Sequence, residues 1–121
     1  MTVTITLVDD DSDILDSVKL MLEFEGWHIR TYTTGDEFLS AYDRCTPDCV
    51  VIDPNLTTDV SGADVARFVA DRGIPTIGLT ARPDSQLAKE VEDIGALVML
   101  LKPVSSEQLV IHIKMALEAF S

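Results

Sequence analysis

Val50, Val51 and Ile52 run without a polar break into Asp53 and then Pro54. Consecutive β-branched residues of this type are the mark of a strand covered on both faces. Proline has no N–H to give to a sheet ladder, so the strand should stop at Asp53. A carboxylate is thereby set at the C-terminal edge of a buried strand, the edge where open α/β sheets build their sites. One acid there also reads as an ordinary turn residue. Its meaning depends on what else reaches the same edge.

The rest of the chain alternates two periods. Residues 2–8 interleave threonine with Val, Ile and Leu and end in Asp9-Asp10-Asp11, a first strand. Ile14, Val18, Met21, Leu22 and Glu25 then keep helical spacing, with Asp11 or Ser12 as cap and Gly26 as stop. Residues 27–31 form a short second strand, and Thr34 with Glu37 offers a capping box for a helix through about residue 43. The strand at 48–53 follows. A polar loop, 54–61, leads to a helix over 63–71 that stops near Gly73. A fourth strand occupies 74–80, with its proline near the start, where a strand tolerates it. A helix over 84–94 ends at Gly95, and residues 96–101 make a fifth strand. Ser105 caps a last helix whose inner stripe is Leu109, Ile113, Ala116, Leu117 and Phe120. Strand–helix alternation at this spacing implies right-handed crossovers and a parallel sheet covered on both faces. The expectation is one doubly wound α/β domain over residues 1–121. Strand order is not readable from periodicity.

Composition narrows the function classes. The net charge is −12, from 21 acids against 9 bases, a surface that repels phosphate backbones and anionic lipid. No apolar run approaches the roughly 20 residues of a membrane span. The amino terminus lacks a signal peptide's basic segment, which points to a cytoplasmic location. Cys45 and Cys49 are too few for a disulfide framework, and His28 and His112 lie too far from them in sequence for a zinc site. These four read as reduced thiols and ordinary, partly buried histidines.

In a parallel sheet the strand ends share one edge. Asp9 and Asp10 close the first strand, Asp53 the third, Thr80 the fourth and Lys102-Pro103 the fifth. Clustered carboxylates repel one another unless a cation joins them. An all-oxygen set suits a hard divalent ion, and Mg2+ favours a few carboxylates with water and a phosphate oxygen. A lysine and a hydroxyl suit the other oxygens of a phosphoryl group, whose transfer needs mostly positioning and charge neutralisation. No Ser, Cys or His nucleophile stands at this edge, which leaves a carboxylate as acceptor. The bland alternatives explain the residues singly. Helix capping accounts for one acid, Asp11; a calcium loop fails because Ile14 and Leu20 stand where Gly and Glu are needed.

Leu7-Val8-Asp9-Asp10, Asp53, Leu79-Thr80-Ala81 and Lys102-Pro103, in this order and spacing, resemble the receiver domain of two-component response regulators over essentially the whole chain. The resemblance implies a flavodoxin-like sheet of order 2-1-3-4-5. It implies Asp53 as phosphoacceptor, loaded from a sensor histidine kinase or a phosphotransfer protein. It implies Mg2+ (or Mn2+) bound by Asp10, Asp53 and the Asn55 backbone carbonyl, with Asp9 acting through water. Lys102 would pair with the phosphoryl oxygens, and Thr80 would swing to hydrogen-bond them. The peptide before Pro103 would be cis. Such a domain works on its own phosphorylation state and is not a turnover enzyme. Its outputs would be an effector domain C-terminal to this chain and homodimerisation through the fourth-helix to fifth-helix face. Glu37-Phe38-Leu39 is most similar to the nitrogen-fixation regulator type.

Three departures modify that picture. The loop after the acceptor reads Pro54-Asn55-Leu56-Thr57 where receivers usually have proline at the position of Thr57, and Gly62 comes one residue later than usual. Met99 replaces the usual Tyr or Phe, which predicts weaker or different coupling of the switch. Arg82, with Asn55, stands where receivers set phosphoryl lifetime. An alternative reading is a pseudo-receiver, an interaction module that keeps the fold without phosphorylation; the intact Asp9, Asp10, Asp53, Thr80 and Lys102 speak against it. An aspartate-nucleophile phosphatase would want its acceptor after the first strand. A flavin module would want a Ser/Thr-rich loop where three acids stand.

Overall fold

A computed structural model describes residues 2–120. Strand β1 (Thr4–Val8) leads into α1 (Ser12–Glu23), then β2 (His28–Tyr32) and α2 (Gly35–Ala41), followed by one 3-10 turn (Tyr42–Arg44). The chain continues through β3 (Cys49–Ile52), α3 (Gly62–Ala70), β4 (Thr76–Thr80), α4 (Gln86–Ile94), β5 (Met99–Leu101) and α5 (Ser106–Ala119). All pairings are parallel and the sheet order is β2-β1-β3-β4-β5. The doubly wound α/β reading is therefore the observed fold.

The sheet divides two apolar layers. Ile5, Leu7, Cys49, Val51, Ile77 and Leu79 face α1 and α5, where Leu15, Leu22, Leu109 and Ile113 meet them. Val8, Val50 and Ile52 face the other way, onto Phe38 of α2, Val65 and Val69 of α3 and Val91 of α4. Successive strand residues point to opposite faces, so an unbroken apolar run is needed to fill both layers. Strand β3, at the centre, is buried at every residue. Thr6 is fully buried in β1, and among the described residues its hydroxyl has no hydrogen-bond partner.

Local signals account for most boundaries. Asp11 caps α1 by accepting from the backbone N–H groups of Asp13 and Ile14. Ser105 caps α5 through the N–H of Gln108. The capping box expected at Thr34 is half formed: Thr34 accepts from the Glu37 N–H, but the Glu37 carboxylate takes the hydroxyls of Thr33 and Thr34 instead of a backbone donor. The complete box lies at Ser61 and Asp64, at the head of α3. Several expectations need correction. Strand β5 begins at Met99 instead of residue 96, and α4 at Gln86 instead of 84, because Ser85 takes the cap. Phe120 is half exposed beyond the end of α5 and does not join its inner stripe. His28 is exposed, since β2 is an outer strand, whereas His112 is partly covered and its Nδ1 lies 2.8 Å from the Gln108 carbonyl. Cys49 is buried, and burial pushes its thiol up to about 12, so it is inert as a nucleophile. Cys45 is partly exposed and accepts a hydrogen bond from Arg30 Nε.

Candidate functional site

The strand ends deliver their side chains to one edge as the topology requires. The order β2-β1-β3-β4-β5 sets β1 beside β3, so Asp9 and Asp53 become neighbours, and β4 and β5 bring Thr80 and Lys102 to the same rim. Lys102 Nζ lies 2.6 Å from Asp9 Oδ2 and 3.0 Å from Asp53 Oδ2, joining residues 93 and 49 positions away in sequence. The peptide between Lys102 and Pro103 is cis. The remaining oxygens are also held: Asp9 Oδ1 accepts from the Asp11 N–H at 3.0 Å, and Asp53 Oδ1 from the Asn55 N–H at 2.8 Å.

The electrostatics follow from this geometry. Burial raises the Asp9 carboxyl above its ordinary 3.8, and the hydrogen bonds from Lys102 and the Asp11 N–H offset this only in part. Burial alone would lower Lys102, but its hydrogen bonds to Asp9 and Asp53 and their charges outweigh it and hold the ammonium above 10.5. Carboxylate oxygens of Asp9, Asp10 and Asp53 lie within 4.8 Å of one another, with Asp9 and Asp53 buried and Asp10 exposed. Three carboxylates against one ammonium leave two negative charges uncompensated. An all-oxygen set with that excess fits a hard divalent cation.

Beside the cluster is a cavity of about 410 Å³ lined by Asp53, Asn55, Thr57, Thr80, Arg82 and Lys102, among others. Thr80 Oγ1 accepts from Asn55 Nδ2 at 2.8 Å and from the Arg82 N–H at 3.0 Å. Asn55 is expected to act through its carbonyl and, with Arg82, on phosphoryl lifetime; its side-chain bond to Thr80 is a further contact with no signal in the sequence. The Arg82 side chain is exposed at the cavity mouth and makes no ion pair among the described residues. Met99 turns in over Gly78: a Cβ on that glycine would collide with the Met99 thioether. Gly78 and Thr80 share a face of β4, so Met99 fills the niche next to the hydroxyl.

The loop after Asp53 is held from three sides. Thr57 donates to Asp10 Oδ2 through Oγ1 at 2.9 Å and through its N–H at 3.3 Å. The Gly35 N–H reaches Thr58 Oγ1, and the Val60 N–H reaches Asp36 Oδ1. A Cβ at Gly62 would stand 2.8 Å from the Pro54 Cα, so only glycine lets α3 begin this close to the end of β3. A larger groove of about 640 Å³ lies elsewhere, between α1 and α5, where Leu20, Met21, Phe24, Val110 and Ile111 line it. It contains none of the clustered acids.

The family model for the response regulator receiver domain matches residues 5–114. The chain belongs to the receiver-domain family of response regulators. The transcriptional regulatory protein TdiR of Thauera aromatica is 32% identical over 116 residues, covering 94% of this chain and 51% of that protein. TrcR of Mycobacterium tuberculosis is 32% identical over 114 residues, 93% of this chain and 44% of its own length. The receiver thus spans about half the length of the curated relatives it matches. Among solved structures, a CheY-like receiver from Methanospirillum hungatei superimposes with a TM-score of 0.89 at 28% identity, over 98% of this chain and 96% of that one. The BeF3-activated DrrB receiver gives 0.85 at 31% identity over 98% and 99%. The receiver domain of NtrX from Brucella abortus gives 0.86 at 26% identity over 94% and 98%. No helix of the described residues is long and apolar enough to cross a membrane.

Proposed function

We propose that this receiver takes a phosphoryl group onto Asp53 from a phosphohistidine of a sensor kinase or phosphotransfer protein. The observation that supports it most is that Asp53, alone of the three clustered acids, both touches Lys102 and lines the cavity shared with Thr80. One Asp53 oxygen attacks phosphorus, the P–N bond breaks, and the imidazole nitrogen leaves with the electron pair and takes up a proton. Lys102 is already charged and within reach of the incoming oxygens. Asp10, Asp53 and the Asn55 carbonyl would hold Mg2+ (or Mn2+), with Asp9 acting through water. That ion, when bound, neutralises charge on the phosphoryl oxygens. To hydrogen-bond the phosphoryl, Thr80 turns away from Asn55 Nδ2 and the Arg82 N–H, and the new bond offsets the two released. Arg82 and Asn55 flank the path of attacking water and set the lifetime of the adduct. Met99 makes the switch softer than an aromatic ring would.

The receiver is a cytoplasmic phosphoprotein acting on itself, and a C-terminal effector domain completes the regulator. The names of the relatives support that reading, as transcriptional and DNA-binding regulators about twice the length matched. Activation pairs two copies through the face where Leu87, Leu97 and Leu101 are exposed. The deciding experiment is incubation with Mg2+ and acetyl phosphate, read by intact mass. Wild type should gain one phosphoryl group and Asp53→Asn none. No adduct, or one undiminished in the variant, returns the chain to a phosphorylation-independent interaction module.

A further inference from the structure

Thr57 sits where receivers usually carry proline, and proline offers neither a hydroxyl nor an N–H. Here both donors are present and both fall on one atom, Asp10 Oδ2, at 2.9 and 3.3 Å. Among the described residues no donor reaches Asp10 Oδ1. One oxygen of the exposed acid is anchored while the other keeps its lone pairs. The anchor is itself fixed: Thr58, next along the loop, accepts from the Gly35 N–H at 3.3 Å and donates to the Val60 carbonyl, which packs against Gly35 so closely that a Cβ there would lie 2.7 Å away. The Val60 N–H in turn bonds Asp36 Oδ1 at 3.2 Å. Thr57 therefore carries the position of α2 and the loop onto the Asp10 carboxylate.

Ligand carboxylates are oriented by hydrogen bonds from outside the coordination shell, and losing such a partner costs about 10–100-fold in metal affinity. An exposed acid without one would have to surrender side-chain freedom when a cation binds. We propose that Thr57 is a positioning residue for the divalent cation, orienting Asp10 through Oδ2 so that Oδ1 is the oxygen left to the ion. It thereby couples the loop after Asp53 to metal binding. This role rests on the reading of Asp10 as a cation ligand. The coupling is reciprocal, so the cation must also steady Thr57.

Calorimetric titration of Mg2+ into the wild-type chain, Thr57→Val and Thr57→Ser tests it, with metal-free melting temperatures measured alongside. Valine keeps the shape and the N–H but loses the hydroxyl; serine keeps both donors. The expected result is Mg2+ affinity about tenfold weaker in Thr57→Val, restored largely in Thr57→Ser, with metal-free melting temperatures in agreement because Thr57 is exposed. Amide exchange at residue 57 should slow on adding Mg2+ to wild type and slow less in Thr57→Val. Equal affinities in wild type and Thr57→Val, or no recovery with serine, overturn the role of Thr57 and leave the metal site standing. No Mg2+ binding by wild type overturns the metal site and this role together.

Discussion

Asp9 is where the site works against the fold. Its carboxyl is raised by burial, so folding disfavours the ionised form. That penalty is absent below the ordinary value of 3.8 and grows as pH rises through the raised value. Asp9→Asn keeps the shape and removes the buried charge, but its single acceptor oxygen can serve only one of the two donors, Lys102 Nζ and the Asp11 N–H. The difference in melting temperature between variant and wild type should move in the variant's favour as pH rises from about 4 to 7; a difference that does not change with pH contradicts this. Lys102 runs the other way: its stabilising share is full below 10.5 and is lost as pH climbs past its raised value. At this scale the sequence was informative wherever a residue closed a strand. Asp9, Asp53, Thr80 and Lys102 were legible because parallel strands place their ends on one rim, whatever their order. The Asn55–Thr80 and Thr57–Asp10 bonds were not, because they depend on the path of a loop, and no periodicity governs a loop.

Elements show where propensity and packing part. The Thr34 box is signalled by its spacing yet only half forms, whereas Ser61-Gly62-Ala63-Asp64 forms both bonds. The alternation of Thr with apolar residues in β1 resembles a half-buried strand. The structure covers both faces and leaves the Thr6 hydroxyl without a partner among the described residues, because α2 and α3 roof that side of the sheet. Strands β4 and β5 are matched through a hole: Gly78 is empty where Met99 enters. That fit predicts a double-mutant cycle. Gly78→Ala should destabilise the domain by about 1–3 kcal/mol through overpacking. Adding Met99→Ala should recover part of it, giving a coupling of about 0.5–3 kcal/mol by denaturant unfolding. Strict additivity of the two changes would mean that Met99 does not occupy the niche in solution.

For the whole molecule, charge is the governing quantity. At −12 the folded chain repels itself, and screening should relieve that repulsion. Raising NaCl from about 10 to 150 mM shortens the Debye length from roughly 30 to 8 Å and should raise the melting temperature; a fall would mean that attractive pairs such as Lys102–Asp9 dominate instead. The architecture of one sheet covered on both faces was readable from the alternation of periods, while the strand order was not, since periodicity carries no information about which strands pair. The outer strands have a further bearing on how the protein behaves at high concentration. A parallel sheet ends in two raw edges, each a template on which another molecule's backbone can add and a fibre can start. Here β2 presents exposed His28 and Arg30, and β5 is only Met99–Leu101, with Pro103, which has no N–H, two positions beyond its end. Pro103, one position after the lysine that serves the acidic cluster, thus also denies a neighbouring molecule the ladder it would need to aggregate edge to edge.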